Sequence, residues 1–371
     1  MLRWDIFCAV IDNYGDAAVS WRLAKQLVHE HEITVRLWID NLTPLAALVD
    51  GLSPTLPRQT VAGVEVCHWA MSAWTQVEMA SVVVAAFGCR LPPDYLVRMA
   101  QLPTPPRWLN LEYLSAETWV DNYHLMPSPH PQLPLVQDFY FPGFTARTGG
   151  LLREADVLRR RDHFRQLPTV QAALWQRLQC PPPALDAIKI SLFAYSGAPV
   201  TDLLDQLARW HGLVWCAIPS GQLDADIDAW LSSHPCRTIY LQRLPFLTQE
   251  DYDLLLWSCD VNCVRGEDSL LRAIWAGRPL IWHIYPQAEQ AHHAKLDALL
   301  TLVCVHLPTP LANGLRQCWH SWNLSSETPV DIARYFLNNL TPLTVASRAW
   351  QEELAQHPDL CTQMVKLAQI R

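Results

Sequence analysis

"FCAVIDNYGDAAVSWRLA", residues 7–24, joins an apolar run to an amphipathic one. The stretch from Trp4 to Ile11 reads as a buried strand. Residues 17–31 place Val19, Leu23, Leu27 and Val28 on one helical face. A strand feeding a helix is the unit from which parallel sheets are built. The turn between them carries Asp12 and Asp16 around a lone Gly15. Dinucleotide-binding turns have GxGxxG there, so that fingerprint is absent. Ligands of such folds bind at the carboxyl ends of the strands. Two carboxylates buried together would repel, raising one pKa as suits a general base, or a cation would keep both ionised. A second reading makes Asp16 the N-cap of the helix, accepting its backbone N–H groups. Both readings stand on spacing alone.

Outward from this turn the alternation continues. Residues 33–39, 82–89 and 107–114 read as strands, with a helix over 93–102. A Pro-rich zone at 126–135 passes over the domain rather than building it. Residues 157–179 read as one helix, and "CPPPALDA", 180–187, as the linker. The alternation then restarts. "IKISLFAYSG" runs from strand into turn, and Gly277 suits a helix C′ position. The expected architecture is α/β, with two Rossmann-like domains facing a central cleft. Residues 1–179 are expected to form the first and 180–350 the second. Residues 351–371 form C-terminal helices that pack back on the first.

Composition bounds the chemistry. The 371 residues are 50% hydrophobic and 17% charged, which is a packed two-domain chain. A net charge of −8 without a basic footprint argues against nucleic-acid binding. The 11 cysteines, odd in number and partly within apolar runs (Cys8, Cys216, Cys263), fit reduced thiols. With neither a signal-peptide pattern nor an 18-residue apolar span, a cytoplasmic protein off the membrane is expected. Among the 17 tryptophans, Trp21, Trp38, Trp215, Trp257, Trp275 and Trp282 fall in regular elements and read as core.

Two further turns carry chemistry. In Arg265-Gly266-Glu267-Asp268-Ser269, between a strand and a helix, Ser269 and the first helical N–H groups suit a phosphate. Gly266 permits close backbone approach and Arg265 supplies charge. Glu267 and Asp268 suit a sugar hydroxyl or a cation, or simply complement the helix dipole. Tyr195, Ser196 and Gly197 form a second phosphate-reaching turn, or an ordinary connection. The DxD patterns at 224–228 and 251–253 lie on helical stretches, where i and i+2 share no face, and read as solvated helix starts. His292, His293, Cys259 and Cys263 lack partners at structural-zinc spacing, so no metal is expected.

Several of these stretches resemble one family. "IFCAVIDNYGDAAVSWRLAKQL", "NLEYLSAETWV", "PSPHPQLPL", "FPGFTARTGGLLRE" and "LPFLTQEDYDLLLWSCDVNCVRGEDSLLRAIWAGRPLIWHIYPQ" are similar, in order between residues 5 and 290, to the bacterial arginine rhamnosyltransferases that modify elongation factor P, the EarP family. The resemblance implies a GT-B glycosyltransferase fold. It implies a dTDP-β-L-rhamnose donor, inversion at the anomeric carbon, and an arginine of elongation factor P as acceptor. It carries the general base to Asp16, its companion carboxylate to Asp12 and a third required carboxylate to Glu267. Phe246 corresponds to the aromatic that stacks on thymine. Tyr195, Asp268 and Ser269 correspond to nucleotide-diphosphate contacts, with Arg265 and Gly266 in the same donor site. Asn13, Tyr14 and Gly15 would line the sugar side. Ala17 and Ala18 depart from the family's bulkier residue and glycine, which bears on how closely the donor approaches the turn.

The implied chemistry agrees with the residues. A guanidinium is a poor nucleophile because it stays protonated. Paired carboxylates can orient it, and one can take its proton. The opening turn would thus be acidic because its ligand is a cation, with phosphate held by the other half. No cofactor and no metal would be needed. Two other classes remain open: a two-lobed binding protein, and a glycosyltransferase with a small-molecule acceptor. A dehydrogenase is disfavoured by the missing glycines.

Overall fold

The computed structural model describes residues 2–11, 14–71, 74–234, 238–285, 292–324 and 330–370. Asp12 and Asn13 lie outside the described residues. The chain divides into two compact units, Met1–Ala155 with Ala355–Arg371, and Asp156–Leu354.

In the first unit, β1 (Arg3–Cys8) leads to α1 (Gly15–His31), β2 (Thr34–Ile39), α2 (Leu42–Leu48), β3 (Arg58–Val61) and β4 (Val64–His68). Then come β5 (Val82–Ala86), α3 (Pro93–Ala100), β6 (Arg107–Leu111), α4 (Val120–Tyr123), β7 (Pro127–Pro129) and β8 (Val136–Tyr140). Among the described residues they form one sheet of order β3-β4-β2-β1-β5-β6-β8-β7. β3 and β7 are antiparallel to their neighbours β4 and β8, and the ladders from β4 through β8 are parallel. β5 is buried along its whole length, as a strand covered on both faces should be. Chain order reverses at β1, with β2 on one side and β5 on the other. That makes the carboxyl ends of β1 and β5 the topological switch point.

The core beneath holds Phe7, Trp38, Val83, Tyr95 and Met99. One ionic network is buried within it. Arg36 donates to both oxygens of Asp5 (2.6 and 2.7 Å) and to the Glu78 carbonyl, and the Tyr95 hydroxyl also donates to Asp5. Both carboxylate oxygens of Asp5 thereby have a donor, which offsets the cost of burying the pair.

The second unit starts earlier than the Pro-rich linker suggests. α5 (Val157–Gln166) and α6 (Pro168–Arg177) belong to it. Arg161 donates to the Trp275 carbonyl, and Arg165 to the carbonyls of Trp257 and Ala276. Cations at these helix C-termini satisfy groups that have no partner within their own helix. The single helix expected over 157–179 is two, because Pro168 holds Leu167 extended (φ −113°, ψ 99°) and opens α6.

There follow β9 (Ile188–Leu192), α7 (Val200–Ala208), β10 (Val214–Pro219), α8 (Asp224–Ser233), β11 (Ile239–Leu244), α9 (Gln249–Ser258), β12 (Val261–Arg265), α10 (Gly266–Ala276) and β13 (Leu280–His283). The all-parallel order β11-β10-β9-β12-β13 puts a second switch point between β9 and β12. Gly277 ends α10 in the left-handed region (φ 60°), as its type allows. The helices α11 (His292–Val303), α12 (Thr309–Asn323), α13 (Ile332–Asn338) and α14 (Leu340–Ala355) complete the unit. Finally α15 (Leu360–Gln369) packs on the first unit, where Leu360 N–H donates to the Leu151 carbonyl and Gln26 to Asp359.

The described cysteines are free thiols, all buried but Cys89. Among the described residues no helix is long and apolar enough to cross a membrane.

Candidate active site

In the first unit the site is built where β1, β5 and β6 end. Asp16 lies in the first turn of α1 and is 1% exposed. The helix is capped by Tyr14, whose side chain makes no cap hydrogen bond, so Asp16 is not the N-cap residue. Its Oδ2 accepts from the Ile11 N–H (2.9 Å) and its Oδ1 from the Tyr113 hydroxyl (3.1 Å). On the same loop Val10 N–H donates to Asp40 (2.9 Å). Thus two carboxylates fasten the chain leaving β1. Tyr14 is exposed, Gly15 is the first helical residue, and Ala17 and Ala18 are buried.

Sequence reading missed the neighbours of Asp16. The strand expected to run to residue 114 stops at Leu111, so Glu112 and Tyr113 stand beyond its carboxyl end. Asn110 accepts from Gly88 N–H (3.1 Å) and donates to Glu112. Phe87 stacks on Tyr113 with centroids 4.5 Å apart and planes at 20°. The available signal was position: polar and aromatic residues just past a buried parallel strand face the ligand edge.

In the second unit Tyr195, Arg265 and Gly266 come together at the β9/β12 switch point. The Arg265 guanidinium carbon lies 4.3 Å from the Phe193 ring centre and 4.7 Å from that of Tyr195. Two ring faces therefore hold one cation in place. Arg265 is the N-cap of α10 and caps it with no side-chain hydrogen bond. Glu267, Asp268 and Ser269 follow in the first turn, with Asp268 buried and the other two half-buried. Phe246 sits in the loop after β11, at the same edge, and is 42% exposed. Ser196 N–H donates to Gln222, and Gly197 turns the chain at φ 92°.

Gly266 is required by two independent facts. Its φ is 66°, and a Cβ there would stand 3.0 Å from the Tyr195 hydroxyl. Gly266→Ala should therefore cost about 1–3 kcal/mol from backbone strain. A urea titration checks this, and a midpoint equal to wild type would overturn it.

Trp282 was expected in the core, yet it is half-buried and donates to the Gly266 carbonyl (2.9 Å). Beside it, His283 was not anticipated. It is 5% exposed, and its Nδ1 accepts the Tyr195 N–H at 3.1 Å. Burial, with Arg265 nearby, pushes its pKa down to about 4. In the unfolded chain it protonates near 6.5, so the unfolded state binds more protons between those values. The stability this group contributes is full above pH 6.5 and is lost as pH falls toward 4. The loss is on the order of 3 kcal/mol. His283→Asn keeps an acceptor without the titration. Its unfolding free energy should fall less steeply between pH 6.5 and 4 than that of wild type, by up to about one proton. Parallel slopes would refute this.

The DxD stretches are helical, but one is not solvated. Asp253 is 2% exposed and takes a bidentate pair from Arg272 (2.8 and 2.6 Å). Asp224 and Asp228 pair with Arg243, as exposed helix carboxylates do. Among the described residues no three His, Cys, Asp or Glu side chains gather as a metal site would need.

Comparison with known proteins places these features. The family model for the elongation factor P (EF-P) rhamnosyltransferase EarP matches residues 4–369. A protein-arginine rhamnosyltransferase of Pseudomonas putida is 44% identical over 98% of this chain and 97% of its own. That of Pseudomonas aeruginosa is 42% identical over 99% and 98%. A solved structure reported as the basis of EarP-mediated arginine glycosylation of EF-P superposes with a TM-score of 0.70, at 32% identity over 99% of this chain and 98% of that one. MurG of Acinetobacter baumannii, 14% identical and covering both chains whole, shares the fold with a TM-score of 0.53.

Proposed function

The chain belongs to the EarP family of EF-P rhamnosyltransferases, which are glycosyltransferases, and from that premise we propose that it moves rhamnose from dTDP-β-L-rhamnose to an arginine of EF-P with inversion. The modified factor would then be active in translation. The observation that carries the reading is Asp16: a buried carboxylate at a switch point, fixed at both oxygens, on a turn with no phosphate fingerprint. An acid there suits a cationic acceptor.

In this reading Asp16, with Asp12, orients the guanidinium by charge-assisted hydrogen bonds. As the bond between C1 and the diphosphate oxygen breaks, a guanidino nitrogen attacks C1 from the opposite face. Its N–H proton passes to Asp16, the nitrogen lone pair forms the new N–C1 bond, and the C1–O pair leaves with dTDP. Asn13, Tyr14 and Gly15 line the sugar. The departing charge is stabilised by the N-terminus of α10 and Ser269, with Arg265 and Tyr195. Phe246, exposed in its loop, supplies the stacking face for thymine, and Glu267 and Asp268 meet hydroxyl groups. The reading needs no cofactor and places the enzyme in the cytoplasm with its acceptor.

Intact-mass spectrometry of EF-P after incubation with the protein and dTDP-rhamnose tests this. A gain of one deoxyhexose, mapped to arginine, is expected. Donor consumed with no gain on EF-P would point instead to a small-molecule acceptor. An unmodified donor and acceptor would overturn the reading.

A further inference from the structure

We propose that Tyr113 is a positioning residue for Asp16 and, with Phe87, the aromatic platform on which the acceptor guanidinium lies. The inference rests on the reading of Asp16 as the base that receives an arginine.

Asp16 is held from two strand ends. Ile11, past β1, donates to Oδ2, and Tyr113, past β6, donates to Oδ1. With either donor removed, the carboxylate loses one of these two tethers and is less firmly fixed about its side-chain torsions. Tyr113 is itself tied twice, by its hydroxyl to Asp16 and by its ring to Phe87. Phe87 adopts φ 57°, a left-handed conformation that a bulky residue rarely takes. It is kept there by its N–H to the Leu111 carbonyl (2.6 Å) and by Gly88 N–H to Asn110 (3.1 Å). Such strain persists where surroundings over-determine it, and it gathers at sites that need a fixed geometry.

The exposures give the arrangement its direction. Phe87 is 8% exposed and Tyr113 is 40% exposed. The inner ring is a buried support and the outer ring is offered to solvent beside a buried carboxylate. A guanidinium is flat, with a weakly hydrated face and an N–H edge. An aromatic face takes the first and a carboxylate the second. An ammonium has no flat face to lay on the ring, so the pair favours arginine over lysine.

The test uses the full-length protein with EF-P and dTDP-rhamnose, read by rate of deoxyhexose gain, with a thermal melt for each variant. Tyr113→Phe keeps the ring and loses the hydroxyl. Its kcat should fall about 10-fold or more, since small misplacement of a catalytic group costs up to ~100-fold, while KM for EF-P stays within about twofold. Tyr113→Leu loses both, so KM should also rise roughly 3- to 30-fold. If Tyr113→Leu melts far below wild type, Phe87→Leu replaces it as the platform test, with the same rise in KM expected. A Tyr113→Phe enzyme with wild-type kcat overturns the positioning role. A wild-type KM in the leucine variant that folds overturns the platform. If wild-type protein itself leaves EF-P unmodified, the reading of Asp16 fails and this inference with it, whereas active wild type with unaffected variants removes this inference alone.

Discussion

Asp16→Asn will abolish rhamnose transfer while leaving the protein folded. Asparagine has the same shape. Its carbonyl oxygen can still accept from Ile11 N–H, and its amide can donate to the Tyr113 hydroxyl, which rotates to accept. These two contacts therefore survive, and unfolding free energy should change by no more than about 1–1.5 kcal/mol. What disappears is the negative charge and, in the proposed mechanism, the proton acceptor. A positioned general base contributes about 10²- to 10⁴-fold. A charge-assisted grip on guanidinium adds to it. We expect kcat/KM for EF-P to drop by roughly 10³-fold or more. Rate of mass gain under saturating donor, beside a urea titration, measures both. A variant retaining a tenth of wild-type activity would show that Asp16 holds the loop and does not take the proton.

The second large effect concerns stability. Arg272→Ala leaves the Asp253 carboxylate, 2% exposed, without the guanidinium that bonds both its oxygens. Removing one partner of a buried pair costs about 3–5 kcal/mol, because the surviving charge has lost water and partner together. For a protein of ordinary stability that is a large share of the total. The pair ties α9 to α10, the helix whose first turn carries Glu267, Asp268 and Ser269. If that turn holds the donor as proposed, loosening it should weaken donor binding as well. The double variant Asp253→Leu with Arg272→Met, similar in bulk and uncharged, should recover most of the lost stability. Guanidinium chloride titrations of the three proteins decide the matter. A single variant within about 1 kcal/mol of wild type would mean that the pair is solvated in the folded state.

Reading the chain in order yields its repeating units well. Strand and helix periodicity comes from which residues must leave water, and that is written locally. The turn at Asp16, the turn at Arg265 and Gly266, and the α10 C′ glycine were all legible because each sits where periodicity changes. The helix break at Pro168 was equally local and was overrun by the apolar pattern around it.

Other features depend on contacts far apart in sequence. Tyr113 reaches Asp16 across 97 positions, and His283 reaches Tyr195 across 88. Position past a strand end marks Tyr113 as near the ligand edge, but no local pattern names either partner, since the contacts come from strand order, which puts β6 near β1 and β13 beside β12. The unit boundary likewise follows from what Arg161 and Arg165 touch, the last carbonyls of α9 and α10, and not from the prolines after α6. Asp253 reads as one more acid at an amphipathic helix start until Arg272 is seen against it. The sequence by itself determined the alternating elements and the acidic and glycine turns, because hydrophobic period and backbone freedom are properties of neighbours in the chain. Only the tertiary structure decided which polar groups are buried and who satisfies them, because desolvation and hydrogen bonding are settled by neighbours in space.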